Sequence, residues 1–144
     1  MSNLLTKVAL SFVVLFTLSH QVSAHDHSTP EDAINVYITA VSTGSGEHIV
    51  KAFSESASIQ YYDDENTFKR YTRHAFSTLV DTGNTWDAKI NIVELRKTGN
   101  AASATVEFTW GADEQHGYVD YLNLIYDGSR WQITDKVANY VKRK

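Results

Sequence analysis

Hydrophobic and polar positions along this chain follow two regimes. Up to about residue 80 the apolar residues mostly recur at helical spacing; from Trp86 onward they alternate. Thr29 is a good helix cap, with Pro30 at the first helical position and Glu31 and Asp32 at the positive end of the dipole. Ile34, Tyr37, Ile38 and Val41 then make one apolar face, and Gly44-Ser45-Gly46 ends the helix. A second short helix is expected over 47–53, with Ile49, Val50 and Phe53 on one side.

The period then changes. Ala57, Ile59 and Tyr61 alternate with Ser58, Gln60 and Tyr62, as in a strand with one buried face. A polar turn at 63–66 and a short extended piece over 68–71 lead to Thr72, a cap for a helix carrying Ala75, Phe76, Leu79 and Val80. Four antiparallel strands follow over 86–96, 101–110, 117–126 and 130–137, with Asp127-Gly128 as a hairpin signal before the last. Helices early and a meander late predict an α+β domain, its helices packed on the concave face of a curved antiparallel sheet.

The first residues fall outside that domain. Lys7, an apolar run over 8–18 and a polar stretch ending Val22-Ser23-Ala24 are the parts of a secretory signal peptide. As a helix the run reaches only about 16 Å, against about 30 Å for a bilayer core. Residues 1–24 are therefore expected to be cleaved, leaving 25–144 as one exported domain, secreted or periplasmic, with no membrane attachment. The chain has no Cys, which suits an oxidising compartment. Beyond Lys7 there are 12 basic and 17 acidic residues, a formal charge of −5. That balance excludes a sequence-independent grip on nucleic acid, which needs clustered Lys and Arg. The Lys142-Arg143-Lys144 tail reads as a solvated chain end.

The order of elements resembles the nuclear transport factor 2-like superfamily, and its putative lumazine-binding branch in particular, beside the polyketide-cyclase (SnoaL-like) and ketosteroid-isomerase-like groups. The residues that carry the likeness are Ala33-Ile34-Asn35-Val36-Tyr37, Ala52-Phe53 with Ala57-Ser58-Ile59, and above all Tyr118-Val119-Asp120-Tyr121-Leu122-Asn123-Leu124 followed by Asp127-Gly128-Ser129-Arg130-Trp131-Gln132-Ile133 and Lys136. The resemblance implies a cone-shaped fold, pairing into a homodimer through the sheet, and a pocket in the cone. It does not imply that lumazine binds, because one fold hosts many functions.

Asp120 is the first candidate for chemistry. It alternates with Tyr118, Leu122 and Leu124, so it faces the interior if they do. A lone buried carboxylate must find a partner or take up a proton. Asp120 would then be a pocket acid or base, or a ligand anchor; the plain alternative is a structural bond to a helix end or to Lys136. Strict alternation puts Lys136 on the face of Gln132 and Thr134, opposite Trp131 and Ile133, so a bulge is needed to turn it inward. His74, near the start of the third helix, is a candidate base or anion contact, with ordinary surface as the alternative. Tyr37, Tyr61, Tyr118 and Trp86 are candidate pocket walls, Trp86 as the start of a strand; Phe108 and Trp131 are expected in the core. His48 and His116 read as solvated.

A chain beginning His25-Asp26-His27 after cleavage also has the spacing for a square-planar copper or nickel site. There is no glycine-rich phosphate loop, nucleophile elbow or His-Glu-x-x-His motif, and no cofactor is called for. Three function classes stay open. The first is a non-catalytic binder of a small apolar or aromatic molecule, or an accessory protein. The second is an isomerase, cyclase or dehydratase using Asp120 with His74 or a Tyr. The third is an interaction module whose cone is filled by its own side chains.

Overall fold

The computed structural model describes residues 27–144; the expected signal peptide and His25 lie outside them. Three helices, α1 (Pro30–Thr43), α2 (Gly46–Ala52) and α3 (Arg73–Val80), pack on one six-stranded sheet. Its strands are β1 (Phe53–Tyr62), β2 (Phe68–Thr72), β3 (Lys89–Thr98), β4 (Ala101–Trp110), β5 (His116–Tyr126) and β6 (Trp131–Lys142), in the spatial order β2-β1-β6-β5-β4-β3. All pairs are antiparallel except β1 with β6, so the sheet is mixed. This is the expected α+β cone.

The start of α1 is fixed as its sequence implies. Thr29 and Asp32 form a reciprocal capping box, and Gly44 closes the helix in the left-handed conformation at φ 65°. Its face toward the sheet buries Ala33, Ile34, Tyr37 and Ala40. Gly44 has a second use: a Cβ there would lie 2.7 Å from the backbone of Asn84. The close approach lets the loop after α3 dock on the end of α1, where Gly83 N–H donates to Gly44 O and Trp86 N–H to Ser42 O, each at 2.9 Å.

Several boundaries differ from the sequence reading. Phe53 begins β1 instead of ending α2, and β6 runs on to Lys142. Trp86 does not start a strand: its N–H is committed to α1, and β3 begins at Lys89. His27 is buried; its Nδ1 lies 3.1 Å from Trp131 O, and its own carbonyl accepts from Trp131 N–H at 2.8 Å. A carbonyl oxygen only accepts, so Nδ1 carries the proton in that bond. Copper or nickel binding through this nitrogen would have to break the contact. Among the described residues no group of three or more His, Cys, Asp or Glu could hold a metal, and no helix is long and apolar enough to cross a membrane.

The feature of β6 that matters most is one extra residue. Leu124 pairs with Ile133 and Asn123 with Asp135, so Thr134 is bulged out. Before it Trp131 and Ile133 are buried; after it the parity flips, so that Lys136 and Ala138 are buried while Val137 and Asn139 are exposed.

Candidate functional site

Three elements bring three polar side chains together in the apolar interior. Asp120 comes from the inward row of β5, Lys136 from β6 beyond the bulge, and Tyr37 from the buried face of α1; they are 1%, 5% and 3% exposed. Tyr37 donates to Asp120 Oδ2 at 2.6 Å, and Lys136 Nζ lies 3.1 Å from the same oxygen. Asp120 Oδ1 is equally buried and has no donor from the protein. The Lys136 ammonium also sits 5.4 Å from the centre of the Tyr61 ring and 6.0 Å from those of Tyr37 and Phe76. Its charge is therefore met by one carboxylate oxygen and three ring faces.

This polar group lines a cavity of about 320 Å³ between the helices and the sheet. Aromatic walls surround it. Trp86 stacks on Phe108 with centroids 5.6 Å apart and planes 11° apart, and meets Trp110 edge-on at 5.1 Å. Tyr118 contacts Tyr61 edge-on and stacks on Trp110. Thr82, Asn84 and Thr85, from the loop pinned to α1, add exposed polar groups to the lining.

The phenols respond to these surroundings. Burial, then the charge and hydrogen bond of Asp120, push the Tyr37 hydroxyl well above its ordinary value. Burial and the neighbouring Tyr71 raise Tyr61, while burial and the carboxylates of Asp64, Asp63 and Asp120 bring Tyr118 to about 12. At neutral pH all three are hydroxyl donors.

Of the residues singled out from sequence, Tyr37, Tyr61, Trp86, Tyr118, Asp120 and Lys136 all line this one cavity. His74 does not. It is exposed on α3 and absent from the lining, and the polar bonds at this residue are those its carbonyl accepts from Ser77 and Thr78. The structure therefore does not bring it to the cavity with Asp120. His116 is not a solvated loop residue. It opens β5, lies 2.5 Å from the Tyr140 hydroxyl through Nδ1, and stacks on Trp110. Phe108 and Trp131 are buried as expected, but Phe108 also forms cavity wall. Phe76 and the Thr82–Thr85 stretch had given no signal of a site. The first reads as helix core and the second as a turn, and only the docking of that turn on α1 makes it part of the lining.

The model of the family described as putative lumazine-binding matches residues 25–138. Among solved structures, a nuclear transport factor 2-like protein of unknown function from Shewanella baltica has a TM-score of 0.65 at 19% identity, covering 77% of this chain and 90% of that one. A second such protein, from Silicibacter pomeroyi, gives 0.66 at 20% identity over 76% and 91% of the two chains. A ketosteroid isomerase-like protein from Erwinia carotovora atroseptica gives 0.61 at 10% identity over 78% and 93%. At these identities the likeness is one of fold. No curated protein matches the chain.

Proposed function

The chain belongs to the putative lumazine-binding family, and from that premise we propose that it is an exported, non-catalytic protein that holds a small apolar or aromatic molecule in its cone. One observation carries this reading: an aromatic-walled cavity extends to a buried Asp120–Lys136–Tyr37 group instead of closing over it. Ligand sites combine such apolar walls with a few placed polar groups. An interior kept only for stability would be expected to pack to the density of an organic crystal.

The non-catalytic reading rests on the same group. A general base must be free to take a proton from a reacting atom within about 3 Å, and needs a partner to relay it. Asp120 is already engaged through Oδ2 by both the Lys136 ammonium and the Tyr37 hydroxyl. The remaining support for an isomerase-type enzyme is the Tyr37–Asp120 contact, a phenol bonded to a carboxylate in an apolar pocket.

Export is read from the basic, apolar and small-residue segments of 1–24. Pairing into a homodimer is read from the outer face of the sheet. There Tyr121, 57% exposed, lies between Thr105 and Val137, and Val137, Val93 and Ile125 are exposed as well. Native mass spectrometry of protein purified from its own cell envelope tests the whole reading. The expected result is a dimer beginning at His25 that loses a small molecule on activation. A monomer still carrying 1–24, with no retained ligand and no uptake from a fragment library, would overturn it. Tyr121→Lys should shift sedimentation to the monomer and leave ligand uptake intact.

A further inference from the structure

We propose that the molecule bound in this cavity is an uncharged planar ring system that presents an N–H or O–H donor at its buried end, and that Asp120 Oδ1 accepts it. The proposal rests on reading the cavity as a binding site and specifies what it selects.

The charge of the site is balanced. Among the lining residues Asp120 and Lys136 are the charged ones, and they face each other at 3.1 Å. An anionic ligand would place a second negative charge beside Asp120, against an ammonium already committed to Oδ2 and to the rings of Tyr61, Tyr37 and Phe76. A cationic ligand would meet the same ammonium beside the carboxylate. Either adds an unbalanced charge in a place where water is scarce, and charges there are costly. A neutral molecule leaves the balance untouched.

The hydrogen-bonding capacity of the site is not balanced. An ionised carboxylate has acceptor positions on both oxygens. Oδ2 receives Tyr37 and Lys136, while Oδ1 is buried and receives nothing from the protein. A buried acceptor without a donor costs about 1–3 kcal/mol, more when charged. A ligand donor removes that cost, whereas an isosteric methyl group leaves it in place. The cavity thus discriminates by donor, which is the kind of selection a polar site performs best.

The walls supply the shape. Trp86 and Phe108, stacked on each other, and the rings of Tyr118 and Tyr61 make the lining largely aromatic. At about 320 Å³ the cavity is at the small end of ligand pockets, about 300–1,000 Å³, which suits one or two fused rings.

The test uses naphthalenes that differ in one group: 2-naphthol, 2-methylnaphthalene, 2-naphthoate and 2-naphthylmethylammonium. Affinities for the wild-type protein are measured at neutral pH by calorimetry and by tryptophan fluorescence. 2-Naphthol should bind about ten- to hundredfold more tightly than its methyl isostere, and both charged probes more weakly than 2-naphthol. In the double variant Asp120→Leu/Lys136→Met, which removes both charges together, the preference for the hydroxyl should vanish while the methyl compound still binds. Equal binding of 2-naphthol and 2-methylnaphthalene to the wild type overturns the donor assignment and leaves the cavity reading standing. Tighter binding of either charged probe overturns the neutrality argument. Failure of all four to bind removes the cavity reading and this proposal with it.

Discussion

One row of side chains on β5 passes through two different interiors. Leu122 and Leu124 stand in a solid region, packed with Ile34, Phe53, Trp131 and Ile133 and almost without exposure. Asp120 and Tyr118, two and four residues earlier on the same face, stand at an open cavity. Pairing of β5 with β4 is continuous through both regions, while on its other side the Thr134 bulge in β6 turns Lys136 inward. Side-chain chemistry then separates them. Branched aliphatic groups, with the rings of Phe53 and Trp131, interdigitate and fill the solid region. At the open region, phenols and indoles are committed to one another, and an ion pair occupies the boundary. Rigid rings with polar tips cannot collapse around a carboxylate as leucines can, so the space remains.

The comparison can be broken most forcefully at that boundary. Lys136→Met leaves Asp120 buried without its ammonium and should cost about 3–5 kcal/mol of unfolding free energy. Adding Asp120→Leu should return most of it, because replacing both partners of a buried pair with apolar groups is often neutral. Chemical denaturation checks both. A single variant as stable as the wild type would mean that water reaches the pair and that the boundary is no boundary.

Next comes an exchange of effects between the two regions. Leu122→Ala should destabilise by about 2–5 kcal/mol through the hole it leaves in a packed core. Trp86→Ala, at a half-buried loop residue, should lower stability far less and weaken ligand binding far more. Denaturation and fluorescence titration of the same two proteins separate these outcomes.

The smallest effect is a pH dependence. Tyr37 ionises well above its ordinary value in the folded protein, by burial first and Asp120 second. In the unfolded chain it loses its proton near pH 10. The folded state then holds more protons than the unfolded one, so stability is complete below about pH 10 and falls as pH rises through that range. Each such group contributes at most about 1.4 kcal/mol per pH unit. Tyr37→Phe should lower stability at neutral pH by about 1 kcal/mol for its lost bond and make the alkaline fall shallower. An unchanged alkaline slope would show that this phenol is open to water.

Much of this arrangement is legible in sequence because it is local. The capping of α1, the inward row of β5 and the aromatic surplus follow from short-range rules that the structure obeys. Lys136 is an intermediate case. Alternation alone turns it outward, and only a bulge reverses it; the bulge is present at Thr134, but its position depends on pairing with β5. Trp86 lay beyond sequence reasoning in one respect. Its chemistry fits a pocket wall, yet its place is set by a hydrogen bond to Ser42 on a distant helix instead of by a strand. The parallel pairing of β1 with β6 is likewise tertiary, since nothing in either segment encodes its neighbour. The position of His74 away from the lining has a simpler reason: a helix shorter than three turns gives a weak periodic signal, and the buried face of α3 belongs to Phe76 and Ser77.

A crystal structure of the wild-type protein with 2-naphthol addresses the account most directly. The rings should lie among Trp86, Phe108 and Tyr118, with the hydroxyl about 3 Å from Asp120 Oδ1. Side chains of the protein filling that space, or a ligand bound elsewhere with Asp120 facing water, would contradict it.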